Sequence, residues 1–226
     1  MGLVIVIFVL LSILTFLILW LNEIRGFNRT GSARFSFLTY LPYEINRFKR
    51  DQKSSYIYPF VQVAGSIFLA VPSYLFAIMV QQNGGSIVPC YVFAGLLTLA
   101  LIAYNFLTFI KLSAYKLHMV FVTIFVSLTL GLDALYLFFC TSNNYMFING
   151  IMSQGMQIAI FVIMILLMIF EFVLMLNRSY KNWAKMVKVD AETFNRPKRC
   201  YLAILEWGTF LNLVLTYIPV FIILYF

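Results

Sequence analysis

The sequence predicts an all-α integral membrane protein, a bundle of about six transmembrane helices in one domain with both termini extracytoplasmic. Hydrophobic residues make up 63% of the chain and charged residues 11%, and the mean hydropathy is +0.94. Soluble domains carry roughly 25% charged residues, so lipid is expected to be the solvent for most of this chain. The apolar runs are unbroken rather than alternating, which favours helices over the strands of a β-barrel.

Each predicted helix is an apolar run long enough to cross a bilayer, which takes about 20 residues at a rise of about 1.5 Å each. Runs of this kind, bounded by charged, Gly or Asn clusters, cover residues 2–22, 57–81, 88–110, 117–140, 151–176 and 202–226. The first run lacks a basic leader and a small-residue cleavage site, and it is too long for the core of a signal peptide. It is therefore predicted to be a retained helix.

The distribution of basic residues predicts the orientation. Of the 16 Lys and Arg residues, seven lie between Arg25 and Lys53, two are Lys111 and Lys116, and seven lie between Arg178 and Arg199. The other connections and both chain ends have none. The positive-inside rule makes the basic side cytoplasmic, and we expect a multi-pass protein of a bacterial cytoplasmic membrane. The predicted cytoplasmic loops are 23–56, 111–116 and 177–201.

The basic loops are predicted to contact anionic lipid headgroups, because their charges lie beside the ends of spans. The net charge of +8 is therefore no indication of nucleic-acid binding, and docking of a cytoplasmic protein is the alternative. In the first loop, a short interfacial helix is predicted to begin near Pro42, with Leu41, Ile45 and Phe48 on one face. The candidate docking residues are Arg47, Lys49, Arg50, Lys181, Lys185 and Lys188.

Four ionisable residues inside the predicted spans are the strongest functional candidates: Asp133, Glu171, Glu206 and His118. An acidic residue at a helix centre costs about 2.5 to 3.5 kcal/mol on insertion scales, so it should face protein or water. Counted at 1.5 Å per residue, Glu171 and Glu206 share a depth of about 9 to 10 Å inside the cytoplasmic boundary. The two carboxyls are therefore predicted to be able to meet and hold one proton. Asp133 is predicted near the opposite face.

Two uses of these residues remain open. Together with His118, the two glutamates are suited to relaying protons or to binding a divalent cation, although no local ligand spacing such as HExxH is present. The structural alternative pairs the glutamates with boundary residues, namely Arg178, Lys198 and Arg199. The sequence offers no nucleophile with a partnered base and no pair of axial histidines for haem. No catalytic residue, metal or cofactor is predicted.

Neutral polar residues form a second pattern inside the spans. On the sixth span, Glu206 begins a stripe at helical spacing that should face the bundle interior. Such groups either join helices by hydrogen bonds or line a passage. The residues of this predicted polar stripe on the sixth, fifth and third spans are Thr209, Asn212, Thr216, Gln157 and Asn105.

One proline and two cysteines add local expectations. Pro72 lies at the centre of the second span, where it is predicted to kink or break the helix. Cys90 and Cys140 fall at the same predicted outer face of neighbouring spans, so either a disulfide or two separate thiols is compatible with the pattern.

Three functions are compatible with these features. The first is a transport-type component, such as a permease, channel-like subunit or transport helper, for an ion, proton or small solute. The second is a non-catalytic subunit or anchor of a larger membrane assembly, which docks cytoplasmic partners and anionic lipids through its basic loops. The third is a membrane-embedded enzyme.

Overall fold

The computed structural model describes seven stretches of the chain: residues 2–30, 34–44, 57–82, 87–110, 114–141, 154–176 and 199–215. Several residues singled out above lie outside them: Ile45, Phe48, Arg178, Lys198, Thr216 and the six candidate docking residues of the basic loops. The backbone of Gln157 and Cys140 is described, but their side chains are not.

The described residues are 92% helical and include no strand, which confirms the predicted all-α class for this part of the chain. The helices are α1 (Gly2–Thr30), α2 (Ile57–Gln82), α3 (Ile87–Phe109), α4 (Tyr115–Thr141), α5 (Gln154–Leu176) and α6 (Tyr201–Leu215).

Four of these helices are long and apolar enough to cross a membrane, as expected of a multi-pass membrane protein. The candidate spans are Leu3–Arg29, Phe60–Gln82, Ile87–Phe109 and Lys116–Phe138. The apolar stretches described in α5 and α6 are shorter, Phe161–Leu176 and Tyr201–Leu215. Six spans and extracytoplasmic termini therefore stay predictions.

The outer surface of the bundle is apolar. Large hydrophobic side chains point away from the protein along α1, α2 and α5; Leu3 is 66% exposed, Phe60 73% and Leu176 80%. A soluble monomer rarely exposes continuous apolar patches of this kind, because water penalises them. Lipid as the surrounding solvent removes that penalty.

The first helix continues beyond the predicted run, which ended at residue 22. Between residues 22 and 30 the helix passes through Gly26, the residue of lowest helix propensity in that stretch. Ile24 packs against the core, and Glu23 is buried at 2% exposure. The extra turns therefore bring a carboxyl group, predicted to lie in a loop, into the protein interior.

Helix α6 lies at the centre of the described bundle. Helices α1 to α4 pack chiefly on their neighbours in the chain, whereas α6 contacts α4 and α5. On another side, the Phe210 ring meets three aromatic rings of α1 and α3, with centroid distances of 5.1 Å to Phe16, 4.9 Å to Trp20 and 4.3 Å to Tyr104. Edge and tilted contacts of this kind are the arrangements that aromatic pairs prefer.

A polar network joins α2 to α3. Gln62 Nε2 donates to Asn105 Oδ1 at 3.1 Å, and Asn105 Nδ2 donates to Ser66 Oγ at 3.0 Å and to its own helix at Leu101 O. Gln62 Nε2 also donates to the Thr108 hydroxyl. Hydrogen bonds of this kind hold helices together where lipid offers no alternative partner. The predicted polar residue Asn105 therefore joins two helices in this structure.

Pro72 does not break α2, which continues from Ile57 to Gln82. Proline lacks the backbone N–H that would bond four residues back. The carbonyl that loses its donor is therefore that of Phe68, while the neighbouring Ser73 Oγ donates to Ala70 O at 2.6 Å. The break considered from the sequence is therefore absent.

The segment 34–44 covers the start of α6. Leu38 O accepts a hydrogen bond from Cys200 N at 2.7 Å, and Tyr40 O accepts one from Trp207 Nε1 at 2.8 Å. A helical turn begins at Pro42, as expected, but Leu41 and Tyr43 are buried in the core rather than turned towards lipid. The described part of this loop is therefore packed into the bundle.

Candidate functional site

Asn212 joins two carboxyl groups at the meeting point of α4, α5 and α6. Its side-chain Nδ2 donates to Asp133 Oδ2 at 2.7 Å and to Glu171 Oε1 at 2.9 Å. An amide nitrogen has two hydrogens, so both donors are used. Asp133 and Glu171 are fully buried, and Asn212 is 1% exposed. Three helices thus contribute one polar side chain each to a single point.

Four oxygens around this point have no hydrogen-bond partner among the described residues: Asp133 Oδ1, Glu171 Oε2, Asn212 Oδ1 and Thr209 Oγ1. Thr209 lies one turn from Asn212 on α6 and beside Glu171, without an aligned hydrogen bond to it. Buried polar atoms are nearly always paired, because leaving them unpaired costs desolvation energy. We refer to Asp133, Glu171, Thr209 and Asn212 as the Asn212 cluster.

A second buried polar contact joins α4 to α6. His118 Nε2 lies 2.9 Å from Glu206 Oε1, and neither side chain is exposed. The Tyr43 ring packs edge-on against the His118 ring, at a centroid distance of 6.5 Å. Glu206 precedes Asn212 by six residues, or about 9 Å along the helix axis. Thr209 lies midway, so three polar positions follow one another at single-turn intervals on α6.

The pairing of the carboxyl groups differs from the one expected from the sequence. Glu171 shares Asn212 with Asp133, whereas Glu206 bonds to His118. Counting depth from the basic ends assumed upright helices that begin at one level. In the structure, Glu171 bonds to Asn212, which lies six residues, or about 9 Å, further along α6 than Glu206. Equal counts from helix ends therefore did not give equal depth, and Asp133 does not lie apart from Glu171.

The predicted pairing with boundary cations is not seen among the described residues. Arg199 is exposed and makes no ion pair with Glu171 or Glu206 in this part of the chain. Cys90 is buried in α3, but the Cys140 side chain is not described, so the disulfide and the two separate thiols both stay alternatives.

Sequence reasoning missed two polar features of the interior. Glu23 was assigned to a loop, although the absence of a proline up to Thr30 was a signal that the helix continued. Gln62 was overlooked, although it lies near the start of an apolar run and joins the network with Asn105. The Asp133–Asn212–Glu171 contact had no local signal, because it depends on how three helices pack.

The donor set of the Asn212 cluster suits a hard cation or a proton. It consists of two carboxyl groups, an amide oxygen and a hydroxyl, and oxygen atoms of these kinds are the ligands that hard cations bind in proteins. Within the described residues, no three His, Cys, Asp or Glu side chains come together as a metal-binding group. The arrangement therefore does not resemble a zinc or copper centre.

Comparison with protein-family models, curated proteins and solved structures gives no match to this chain.

Proposed function

We propose that the chain is a transport-type membrane component that passes a proton or a small monovalent cation through the Asn212 cluster. The observation that carries this function is that two buried carboxyl groups share one amide donor while four neighbouring oxygens lack a partner among the described residues. Intramembrane carboxyl groups of this kind are costly and typically lie on ion or proton pathways.

The charge of the cluster supports a cationic substrate. Within the described residues, no lysine, arginine or histidine forms an ion pair with Asp133 or Glu171. Two uncompensated negative charges in a low-dielectric interior are strongly unfavourable, so a proton or a bound cation is needed to neutralise them. Ca²⁺ takes about six to eight oxygen ligands, whereas only four oxygens of the cluster are without a hydrogen-bond partner among the described residues. We therefore favour H⁺ or Na⁺.

The stripe on α6 supplies a route to the cluster. Glu206, Thr209 and Asn212 are buried at successive turns, and Glu206 is held by His118. In the orientation that the basic residues predict, Glu206 lies on the cytoplasmic side of Asn212. The His118–Glu206 pair then serves as the inner relay and the Asn212 cluster as the deeper site, in a multi-pass protein of a bacterial cytoplasmic membrane with both termini outside.

The test is ion flux in proteoliposomes. Purified protein is reconstituted, and H⁺ flux is followed with a pH-sensitive dye and Na⁺ flux with a radioactive tracer. We expect Asp133→Asn and Glu171→Gln each to reduce flux by more than about tenfold, the equivalent of about 1.4 kcal/mol. Glu23→Gln is the matched control, a buried acid-to-amide change outside the cluster. Wild-type flux in both cluster variants, with monodisperse protein, would contradict the proposal.

A second candidate function is a non-catalytic subunit of a larger membrane assembly. The broad apolar faces of α1 and α5 favour it, because such faces contact either lipid or partner helices. Purification from native membranes in mild detergent, followed by mass spectrometry, distinguishes the two functions. Stoichiometric partners would support an assembly, and a monodisperse protein that transports ions alone would exclude it.

A further inference from the structure

A cavity of 490 Å³ lies between α1 and α6. Its walls are almost entirely apolar. The cavity opens towards the outer surface of the bundle, because two of its lining residues, Leu17 of α1 and Leu211 of α6, are 46% and 58% exposed. Two polar atoms in the wall are already engaged: Ser12 Oγ donates to Gly65 O, and Trp207 Nε1 donates to Tyr40 O. The cavity therefore offers contacts to an apolar occupant and few hydrogen bonds.

Two exposed arginines, Arg34 and Arg199, lie close in the chain to residues at one end of the cavity. Phe37 and Leu38 of the segment 34–44 form this end of the wall. Arg199 precedes Cys200, whose N–H bonds to Leu38 O. Arg34 precedes Phe35, whose ring lies 5.0 Å from that of Phe37. Both arginine side chains are exposed, so an apolar groove leads to positive charge at the predicted cytoplasmic boundary.

We infer that this cavity binds one acyl chain of an anionic phospholipid, whose phosphate group contacts Arg34 and Arg199. The acyl chain fills an apolar space that opens to the bilayer, while guanidinium groups form strong charge-assisted hydrogen bonds with phosphate oxygens. A zwitterionic lipid gains less binding energy from the two arginines, because its own cationic group offsets the charge of its phosphate. The positive charge of Arg34 and Arg199 therefore favours an anionic headgroup.

A partner helix fits this groove less well than an acyl chain. Close helix packing in membranes uses small residues, and the small residues of the wall are Ser12, whose hydroxyl bonds to Gly65 O of α2, and Gly208. A Cβ atom placed on Gly208 would lie only 2.8 Å from the Phe170 ring. Phe170 of α5 thus already occupies the space above this glycine, and the remaining wall is formed largely by large aromatic and aliphatic side chains.

The lipid site is separate from the Asn212 cluster. Trp207, Leu211 and Val214 line the cavity, whereas Thr209 and Asn212 face α4 and α5 on another side of α6. Lipid binding and ion flux can therefore be measured independently, and failure of either proposal leaves the other standing.

Tryptophan fluorescence gives a direct test, because two of the three tryptophans, Trp20 and Trp207, line the cavity. The full chain carrying Trp183→Phe is reconstituted in phosphatidylcholine with increasing fractions of a phospholipid brominated on its acyl chains. We expect brominated phosphatidylglycerol to quench at about fivefold lower mole fraction than brominated phosphatidylcholine, and to saturate. Equal quenching by the two lipids would overturn the inference.

Variants distinguish the two parts of the site. Arg34→Gln combined with Arg199→Gln should remove the preference for phosphatidylglycerol, whereas the exposed Lys116→Gln, on a helix outside the cavity, should preserve it. Leu17→Phe combined with Leu211→Phe narrows the cavity and should weaken quenching by both lipids. Ile18→Phe, on the exposed side of α1 and outside the wall, is its control. An unchanged headgroup preference in the double arginine variant would contradict the proposed phosphate contact.

Discussion

Asp133 on α4 and Glu171 on α5 both accept a hydrogen bond from the side-chain nitrogen of Asn212, at 2.7 and 2.9 Å. Neither carboxyl group is exposed to solvent. These hydrogen bonds connect three helices. They also bring together two acidic groups, whose negative charges a proton or a bound cation would neutralise.

Asn212→Ala should destabilise the bundle because it leaves both carboxyl groups without their shared donor. We expect a loss of about 1 to 3 kcal/mol, the usual penalty for a buried polar group that loses its partner. Thermal unfolding in detergent provides the measurement. In a background carrying Asp133→Asn and Glu171→Gln, the same change should cost less, because the amides can bond to each other. An identical cost in both backgrounds would argue against the shared donor.

Single substitutions in the His118–Glu206 pair should be more harmful than the double substitution. His118→Leu or Glu206→Leu leaves the other polar group buried without its partner, for an expected loss of about 3 to 5 kcal/mol. Replacing both residues with leucine removes the desolvation cost as well, so the double variant should be more stable than either single variant. Additive losses in a double-mutant cycle of thermal stability would contradict this coupling.

Trp207→Phe should weaken the packing of the segment 34–44 on α6, because it removes the hydrogen bond from Trp207 Nε1 to Tyr40 O. Cys200 reports this change, since its thiol is 5% exposed and its N–H bonds to Leu38 O. Burial raises the pKa of the Cys200 thiol, so maleimide labelling should be slow at neutral pH and accelerate as the pH rises. In a Cys90→Ser, Cys140→Ser background, we expect Trp207→Phe to increase the labelling rate several-fold. Phe106→Leu, at an exposed site on α3, should leave the rate unchanged.

The predicted orientation can be tested by cysteine accessibility. Thr30→Cys and Tyr145→Cys, each in a chain without native cysteines, should react with a membrane-impermeant maleimide from opposite compartments. The physical reason is that each lysine and arginine is held on one side by the cost of moving it through hydrocarbon. Reaction of both positions from the same compartment would require a different number of spans between them.

Several features could be predicted from the sequence because they depend on local composition. The predicted runs 57–81, 88–110 and 117–140 correspond closely to Ile57–Gln82, Ile87–Phe109 and Tyr115–Thr141. A long apolar segment cannot leave backbone groups unpaired in lipid, so it must form a helix wherever it lies in the bundle. Length and hydropathy therefore determined the helical class and the positions of these elements.

The sequence also identified several polar side chains that are buried inside the bundle. An ionisable or amide group in an apolar run must avoid lipid, and Asp133, Glu171, Glu206 and Asn212 are all buried. That Glu171 joins Asp133 rather than Glu206 was decided by the tertiary structure alone. Hydropathy depends on composition and carries no information about the tilt and relative height of helices. Those two quantities determine which carboxyl groups lie within hydrogen-bonding distance of one amide.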